Sequence, residues 1–430
     1  MKYFSLELTT LSPVAIRADH APSGVASIPY ITGTTLAGSL AAAYRSYYDE
    51  RSSDFERLFL SGQVQFPHLY PATIKDKSVR ESMPEWERTS KLAFSSVYPL
   101  PRTALSCKRF SGFSLTADDS ERHGVHDTLF DWAIFQRGGQ SFQALKALQE
   151  HKNCKKCGKA THQFSGFYRH VSSPRGRFTV QTGAGTRLQT HTGIDRATGT
   201  VQEGMLYSRQ VFDENSRFQG VVKLPDDDEL ARSFTNFIGQ MKGLGLIRIG
   251  TGRTRGMGKV ELTIEPLEEK PFGYGLFTER LENFNQTMQK ALEDAKIQVD
   301  SAPFYFALTL HSPAILRDSL LRYRGSINAE ALADLLGTAQ FTQEHFERIY
   351  QTASVQRITG WNDLWGTPRF QEIVIESGSV FLFAFKGEMA SKGLYEALFR
   401  LEREGIGERT AEGFGRVYIS DPFHREEGLR

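Results

Sequence analysis

Alternating polar and apolar residues mark two strand-like segments that open similar stretches of the chain. The segments run from Phe4 to Arg17 and from Phe304 to Arg317, and each reaches a Ser-Pro pair where the proline cannot donate a backbone hydrogen bond to a sheet. They start 300 residues apart and share one pattern. The pattern therefore predicts an internal repeat of two related units.

Apolar residues at helical spacing precede a glycine-rich stretch in both units. They run from Leu230 to Met241 in the first unit and from Leu394 to Leu401 in the second. Strand-like segments lie before these helices, at Phe218 to Leu224 and at Val380 to Phe385. Each unit therefore starts with a strand and ends with a strand, a helix, a glycine-rich loop and another strand.

A further helix is predicted early in the first unit, from Leu36 to Tyr44, with Thr34 or Thr35 as its N-cap. This order of elements is typical of the ferredoxin-like sandwich, an antiparallel sheet with helices on one face, which RNA-recognition domains also use. We therefore expect an α+β protein that contains two ferredoxin-like (RRM-like) modules.

The length and charge pattern suggest where the modules end. A chain of 430 residues is long enough for two or three domains with their own cores. We expect the modules at residues 1–265 and 303–430. Residues 266–302 are charged and are interpreted as a linker with a surface helix around Thr278 to Lys296.

The glycine-rich stretches are the first candidate sites, and we expect both to be exposed loops. Alternate glycines allow positive φ, and successive backbone N–H groups can then face an anion. A dinucleotide-binding loop does not fit, because these loops leave a helix and enter a strand, and a P-loop does not fit, because neither contains Gly-Lys-Ser/Thr. A helix cap at Gly405 followed by a tight turn is the structural alternative. The candidate phosphate-binding residues are Gly250, Gly252, Arg253, Arg255, Gly256, Gly258 and Lys259 in the first loop and Gly405, Gly407, Arg409, Gly413, Gly415 and Arg416 in the second.

Composition and charge narrow the class of protein. Hydrophobic residues make up 40% of the chain, yet the longest strongly apolar run is only strand-sized, so a membrane protein does not fit. The segment from Met1 to Leu11 lacks the regions of a secretory signal, and we expect a cytoplasmic protein. The totals of 52 Lys+Arg and 50 Asp+Glu nearly cancel, but residues from His151 to Val260 hold 18 basic and 8 acidic side chains. This region favours a polyanionic partner, although charges close in sequence need not form one surface.

Three cysteines are a small and odd number, which does not fit a disulfide scaffold and indicates a metal site instead. Two of them flank a pair of lysines, and Gly158 follows, which is typical of a turn that directs two thiolates at one ion. Four protein ligands would make a structural Zn²⁺ site that stabilises an insertion at about residues 101–172. A redox dithiol is the alternative. The candidate ligands are Cys107, Cys154 and Cys157, with one of His123, His126 and His162.

The helix, the glycine loop that ends in Gly-x-Gly-Arg/Lys-Val and the strand after it resemble the signature of the repeat-associated (RAMP) superfamily of CRISPR ribonucleoprotein subunits. Tyr30 to Leu40 is similar to that superfamily's Tyr-Ile-Pro-Gly-Ser-Ser-Leu-Lys-Gly segment, but Thr32 and Ala37 stand where Pro and Lys are usual, which removes one expected phosphate contact. His191 to Ser208 is similar to the middle motif of the same group. The resemblance favours His123 as the fourth metal ligand. It also implies that Gly33, Thr34 and Thr35 bind RNA.

The second unit carries a narrower resemblance. Gly360 to Arg369, followed by Gly378 to Phe383, resembles the subunits that hold the 5′ tag of the guide RNA. With the zinc-type insertion, the chain looks most like the Csx-ten subunit of type III-D effectors. The resemblance implies that Trp361 and Trp365 stack on bases or ribose and that Arg369 contacts phosphate. A buried aromatic cluster is the alternative, above all for Trp365.

These resemblances imply a non-catalytic subunit of a type III CRISPR effector that serves antiviral defence. Its partners would be the guide RNA, target RNA, a backbone RAMP subunit and the large signalling subunit. One alternative is a metal-dependent endoribonuclease that cuts target RNA through Asp19, which lies where the backbone subunits carry their acid. Another is a ribonuclease that processes the guide precursor, with His20 as general base.

Overall fold

The structure is a computed structural model with a mixed α+β fold built from several small antiparallel sheets, as the sequence predicts. No helix of the described residues is long and apolar enough to span a membrane. The described residues are 1–17, 27–49, 52–75, 96–114, 119–139, 141–142, 145–146, 149, 152–173, 176–194, 200–267, 273–299, 303–362, 366–387 and 392–425.

The strands within these residues are numbered in chain order. They are β1 (Lys2–Thr10), β2 (Tyr70–Pro71), β3 (Thr73–Ile74), β4 (Tyr98–Pro99), β5 (Ala104–Cys107), β6 (Val125–Asp127), β7 (Thr161–Gln163), β8 (Phe167–Ser173), β9 (Gly176–Gly183), β10 (Thr186–Ile194), β11 (Val201–Phe212), β12 (Arg217–Leu224), β13 (Val260–Pro266), β14 (Phe304–Leu310), β15 (Phe346–Thr352), β16 (Val355–Ile358), β17 (Trp361–Asn362), β18 (Thr367–Pro368), β19 (Glu372–Ile375), β20 (Val380–Phe385) and β21 (Val417–Ile419). The helices are α1 (Gly33–Arg45), α2 (Ser53–Phe55), α3 (Leu129–Gly138), α4 (Asp228–Leu244), α5 (Tyr274–Asp294), α6 (Ala329–Leu336) and α7 (Lys392–Glu404).

Two four-stranded sheets carry the repeat. The first has the order β13-β1-β12-β2 and the second the order β15-β20-β14-β21. In both sheets the strand that opens the unit pairs with the strand after the glycine loop on one side and with the strand before the last helix on the other. The two units therefore share one strand order.

Helices α1 and α4 cover one face of the first sheet. The buried residues of α4 include Leu230, Phe234 and Met241, which are among those that the helical spacing predicts. The N-cap of α1 differs from the prediction, because Thr32, and not Thr34 or Thr35, accepts the backbone N–H of Thr35 at 3.2 Å. The helix starts at Gly33, so Thr34 and Thr35 lie within its first turn.

Both faces of the second sheet are buried. Alternate residues of β14 and β20 belong to two separate hydrophobic clusters, one with α6, α7 and the start of α5, and the other with α3 and the rest of α5. Because successive strand residues point to opposite faces, every residue of β20 is buried, which explains its continuous apolar sequence.

The helix predicted around Thr278 to Lys296 is present and packs on the second unit. It runs from Tyr274 to Asp294, and its Phe277, Leu281, Phe284 and Met288 are buried. The helix is amphipathic, with its charged residues on the outer face. The domain boundaries themselves stay predictions.

The residues between α1 and the hairpin of β10 and β11 form small sheets of their own. Strands β6-β5-β7 form one, and β3-β9-β8-β4 form another. Its apolar cluster contains Ala104, Val125 and Phe164, together with Phe423 from the far end of the chain. The neighbouring His424 also contacts the insertion, because its Nδ1 lies 2.9 Å from a carboxylate oxygen of Asp127. The insertion and the second unit therefore share an interior.

Candidate nucleic-acid interface and metal centre

The first glycine loop connects α4 to β13 and has the backbone that its sequence predicts. Gly250, Gly252, Gly256 and Gly258 all have positive φ. At Gly250 a side chain is excluded by space as well, since a Cβ atom would lie 2.4 Å from the carbonyl oxygen of Ala15. A short 3₁₀ turn, Arg253–Arg255, forms the tip. The side chains of Arg253, Arg255 and Lys259 are exposed.

The hairpin of β10 and β11 lies beside this tip. The Arg255 guanidinium donates from Nη1 to the hydroxyl of Tyr207 at 2.5 Å. The Tyr207 ring stacks on His191 with centroids 5.3 Å apart, and the Arg209 guanidinium carbon lies 5.6 Å from the same ring.

We call these residues the loop–hairpin surface, which consists of His191, Tyr207, Arg209, Arg253, Arg255 and Lys259. Basic groups beside an accessible aromatic ring are the combination that holds single-stranded nucleic acid. The sequence points to the loop and to the motif from His191 to Ser208 separately. Their contact was not predicted, because residues about 50 positions apart meet only through the fold.

The second glycine loop has similar backbone angles but a different position. Gly405, Gly407, Gly413 and Gly415 have positive φ, as predicted. Gly413 and Gly415 are buried, so the expectation of an exposed loop is wrong for them. A Cβ atom on Gly413 would lie 2.7 Å from the carbonyl oxygen of Phe66, and Phe66 donates its N–H to Ala411 at 2.8 Å. This loop packs against the first unit.

Charged residues of the second loop form ion pairs within the chain. Arg409 donates from Nη2 to Glu412 at 2.8 Å and to the hydroxyl of Thr34 at 3.1 Å, and it also pairs with Glu372. Arg369 contacts the same Glu412 carboxylate at 3.2 Å. Both Arg369 and Arg409, expected at phosphates, therefore face a carboxylate of this chain.

The first residue of α1 packs against the second glycine loop. A Cβ atom on Gly33 would lie 2.1 Å from the carbonyl oxygen of Glu412, so only glycine fits where the two units meet. Arg416 donates from Nη2 to the carbonyl of Val221 at 2.7 Å, and burial lowers its pKa to about 10. RNA binding by Gly33, Thr34 and the second loop stays a prediction, but their polar groups already bond across the two units.

The segment from Gly360 to Arg369, which contains Trp361 and Trp365, is only partly within the described residues. Trp361 is 47% exposed on β17, which pairs with β18. Arg369 donates its backbone N–H to Gly360 at 2.8 Å, which closes the small hairpin. Trp365 lies outside the described residues, and so do Asp19 and His20.

The structure brings the predicted metal ligands together. Ligand atoms of Cys107, His123, Cys154 and Cys157 all lie within 4.8 Å of one another. The sulfur atoms of Cys107 and Cys157 are 3.6 Å apart, and His123 Nδ1 is 3.2 Å from the sulfur of Cys154. Zn–S bonds of about 2.3 Å in a tetrahedron place two sulfur atoms about 3.8 Å apart. The donor set therefore fits Zn²⁺.

Local structure explains how this cluster forms. Cys107 ends β5, and His123 precedes the neighbouring strand β6. Between Cys154 and Cys157 the chain turns, and Gly158 closes the turn by donating its N–H to Cys154 at 2.8 Å. His126 and His162 lie on β6 and β7 and are not in the cluster. Of the three histidines that the sequence left open, the cluster therefore contains His123.

Hydrogen bonds also prepare a thiol for metal binding. Burial opposes ionisation of Cys107, but N–H donors of Phe110 and Arg109 and the neighbouring thiols outweigh it and lower its pKa. The Phe110 N–H lies 3.4 Å from the Cys107 sulfur. Thiolates are the form of cysteine that binds metal.

A sequence profile of the RAMP superfamily matches residues 7–261. The chain belongs to the RAMP superfamily. The matched part of this RAMP protein contains the loop–hairpin surface and all four residues of the Cys/His cluster.

The chain also has partial similarity to solved structures. A chain of the cryo-EM structure of the Type III-B Cmr-beta bound to cognate target RNA and AMPPnP is 12% identical, with a TM-score of 0.39 over 88% of this chain and 86% of that chain. A second structure, bound to cognate target RNA, has a TM-score of 0.36 at 12% identity over the same shares. The apo state gives a TM-score of 0.28 at 11% identity, over 61% of this chain and 96% of that chain. No curated protein sequence matches the chain.

Proposed function

We propose that this RAMP protein is an RNA-binding subunit of a type III CRISPR ribonucleoprotein effector. The observation that carries the proposal is the loop–hairpin surface. There an amide-rich loop with exposed Arg253 and Lys259 lies beside a tyrosine that already contacts two arginines. Phosphate groups would bind the basic side chains and the glycine-loop amides, and a base would stack near Tyr207.

The finer assignment follows the resemblance of the second unit. We assign the RNA to the guide, chiefly its 5′ tag, and the subunit to the Csx-ten class of type III-D. The exposed ring of Trp361 supports a base or ribose contact on that side. Target RNA, a backbone RAMP subunit and the large signalling subunit are its proposed partners.

Each unit is assigned to the ferredoxin-like class. The shared strand order of the two sheets supports this assignment, since the first strand lies between the third and the fourth in both. In this proposal the second glycine loop joins the units, and the first loop grips the RNA.

The metal centre has a structural role in this proposal. Cys107, His123, Cys154 and Cys157 would hold Zn²⁺ with four protein ligands, which leaves no open position for a reactive water. The metal would hold the turn between Cys154 and Cys157 against β5 and β6. The chain's role is then binding without chemistry of its own.

The salt dependence of RNA affinity tests the proposal. Titrating a labelled guide-type RNA at several salt concentrations measures how many phosphates the protein neutralises. Because single-stranded contacts each contribute about 0.7 to the slope of log affinity against log salt, Arg253→Glu with Arg255→Glu should lower that slope by about 1.4. Binding should also weaken at every salt concentration.

A matched control separates this surface from net charge. Arg232 on α4 and Lys290 on α5 are exposed, and Arg232→Glu with Lys290→Glu changes the net charge by the same amount. We expect this control to keep most of the affinity and the slope. Equal losses in both double variants would show that the chain binds RNA through overall charge, and the proposal would be wrong.

A further inference from the structure

A cavity lies between the two units, away from the loop–hairpin surface. Its volume is about 130 Å³, which is enough for a small ion with its hydration or for one ring. Four tyrosines line it, namely Tyr3, Tyr70, Tyr98 and Tyr418. The polar residues that line it include His68, Lys223 and Arg416. The sequence patterns do not predict this cavity, because residues of both units line it.

His68 is one of the residues that line this cavity, and it carries a hydrogen-bond donor. Its Nδ1 accepts the backbone N–H of Gly33 at 2.9 Å, so the ring proton resides on Nε2. His68 is only 3% exposed, and its Nε2 atom is buried without a hydrogen-bond partner. Burial lowers the pKa of His68 to about 3, with the charge of Arg416 acting in the same direction. The ring is therefore a neutral donor with nothing to receive its proton.

Lys223 and Arg416 line the same cavity, and neither forms an ion pair with a carboxylate among the described residues. Burial, with the charge of Arg416 acting in the same direction, lowers the pKa of Lys223 to about 7. Arg416 donates from Nη2 to Val221, but its Nε atom is buried and has no partner. Lys223 donates from Nζ to the carbonyl of Arg403 at 2.7 Å. The nearby carboxylate of Glu402 is held by Arg280 through contacts of 2.6 and 2.7 Å.

Two buried donors of the described lining residues, His68 Nε2 and Arg416 Nε, have no partner, and the charged lining residues are Lys223, Arg403 and Arg416 with one carboxylate, Glu402. Gln219 Oε1 is one buried acceptor without a partner at the same place. Buried donors and unpaired cations destabilise a folded chain unless a group accepts their hydrogen bonds and neutralises them. A tetrahedral oxyanion does both, since it offers several acceptor oxygens and carries negative charge.

We propose that this cavity binds a phosphate-class oxyanion through Lys223, Arg416 and His68. The group is either free inorganic phosphate or the terminal phosphate of a nucleotide, and the chemistry of recognition is the same for both. The site is independent of RNA binding at the loop–hairpin surface.

Titration of the full chain with inorganic phosphate tests the site. Calorimetry and thermal melting are compared with chloride at equal ionic strength, because phosphate also stabilises proteins generally through exclusion from their surfaces. We expect saturable binding at one site and a saturable rise in Tm. Competition between 5′-phosphorylated and 5′-hydroxyl dinucleotides then distinguishes the two sources: displacement by the first alone identifies a nucleotide end.

Two variants remove one donor each. Lys223→Met keeps the length of the side chain and removes the ammonium. His68→Asn keeps an oxygen that can accept the Gly33 N–H, and its shorter side chain removes the donor at the position of Nε2. Both should weaken phosphate binding at least about tenfold, whereas the exposed Lys290→Met should not change it. In phosphate-free buffer Lys223→Met should melt at a higher temperature than the natural chain, because it removes an unpaired cation.

Three results would overturn the proposal. The natural chain could show no saturable phosphate binding. Phosphate could raise the Tm of the natural chain, His68→Asn and Lys223→Met equally, which is the effect of general exclusion. Lys223→Met could melt at a lower temperature in phosphate-free buffer, which would show that the ammonium stabilises the fold through its carbonyl contacts.

Discussion

Replacing Glu412 by Gln tests the ion pairs of the second glycine loop, which Thr34 of the first unit joins. Burial opposes ionisation of this carboxyl, but Arg409 first, and then Thr34 and Arg369, outweigh it and hold its pKa at about 2, against an ordinary value of 4.5. One pKa unit corresponds to about 1.4 kcal/mol, so the ionised form contributes roughly 3 kcal/mol to the free energy of unfolding. The side chain is 27% exposed, which makes this figure an upper value.

The sign of the pH dependence follows from the lowered pKa. The stabilisation is fully present above pH 4.5 and is lost as the pH falls towards 2. Glu412→Gln should therefore lower the free energy of unfolding at pH 7 by roughly 2–3 kcal/mol. It should also flatten the loss of stability between these pH values. Urea unfolding followed by circular dichroism measures both effects, since urea leaves ion pairs unscreened.

Glu214 provides the matched control. Its pKa is also held at about 2, by hydrogen bonds from Arg187, but the pair is exposed on the hairpin. Exposed ion pairs contribute little to stability, so Glu214→Gln should leave the unfolding curve nearly unchanged. If Glu412→Gln retains the stability and pH slope of the natural chain, the ion pairs of Glu412 do not stabilise the second loop as described.

Four further changes have direct outcomes. Cys154→Ser should lower the zinc content measured by mass spectrometry and make the insertion sensitive to protease, and full metal retention would refute the ligand set. Gly413→Ala should cost roughly 1–3 kcal/mol in urea unfolding, because φ is +89° and a Cβ would overlap Phe66; an unchanged midpoint would contradict the packing. Phe284→Ala should cost about 3–5 kcal/mol, whereas the exposed Glu282→Ala should have little effect, and equal effects would show that α5 is not packed. Labelled target RNA should stay intact with the chain and Mg²⁺, and cleavage that disappears in Asp19→Ala would show that the binding role is incomplete.

Features that depend on neighbouring residues in the sequence were predicted well. The spacing of Leu230 to Met241 defines the buried face of α4, because a helix repeats its contacts every three to four residues. The glycines at alternate positions adopt the positive φ that their sequence indicates. The cysteine spacing and the resemblance together identify the four residues of the Cys/His cluster.

Features that depend on a distant partner were predicted poorly. The two glycine loops have similar sequences, yet the first has an exposed tip, although its Gly258 is buried, and the second packs on Phe66, because only the fold decides which surface each one meets. The sequence predicts helix α5 but not what its apolar face packs against, since those partners come from distant strands and helices. Thr32 caps α1 although Thr34 and Thr35 are equally good capping residues, because the helix begins earlier than its apolar spacing shows.

The position of Phe423 has a consequence for biosynthesis. Its ring fills the interior of the insertion, beside Ala104 and Val125, although it emerges from the ribosome long after them. The cysteines and His123 are translated early, so these four residues can meet while the nascent chain is still growing. The apolar interior beside them lacks one of its rings until the late residue arrives, so the insertion exposes apolar surface during that interval.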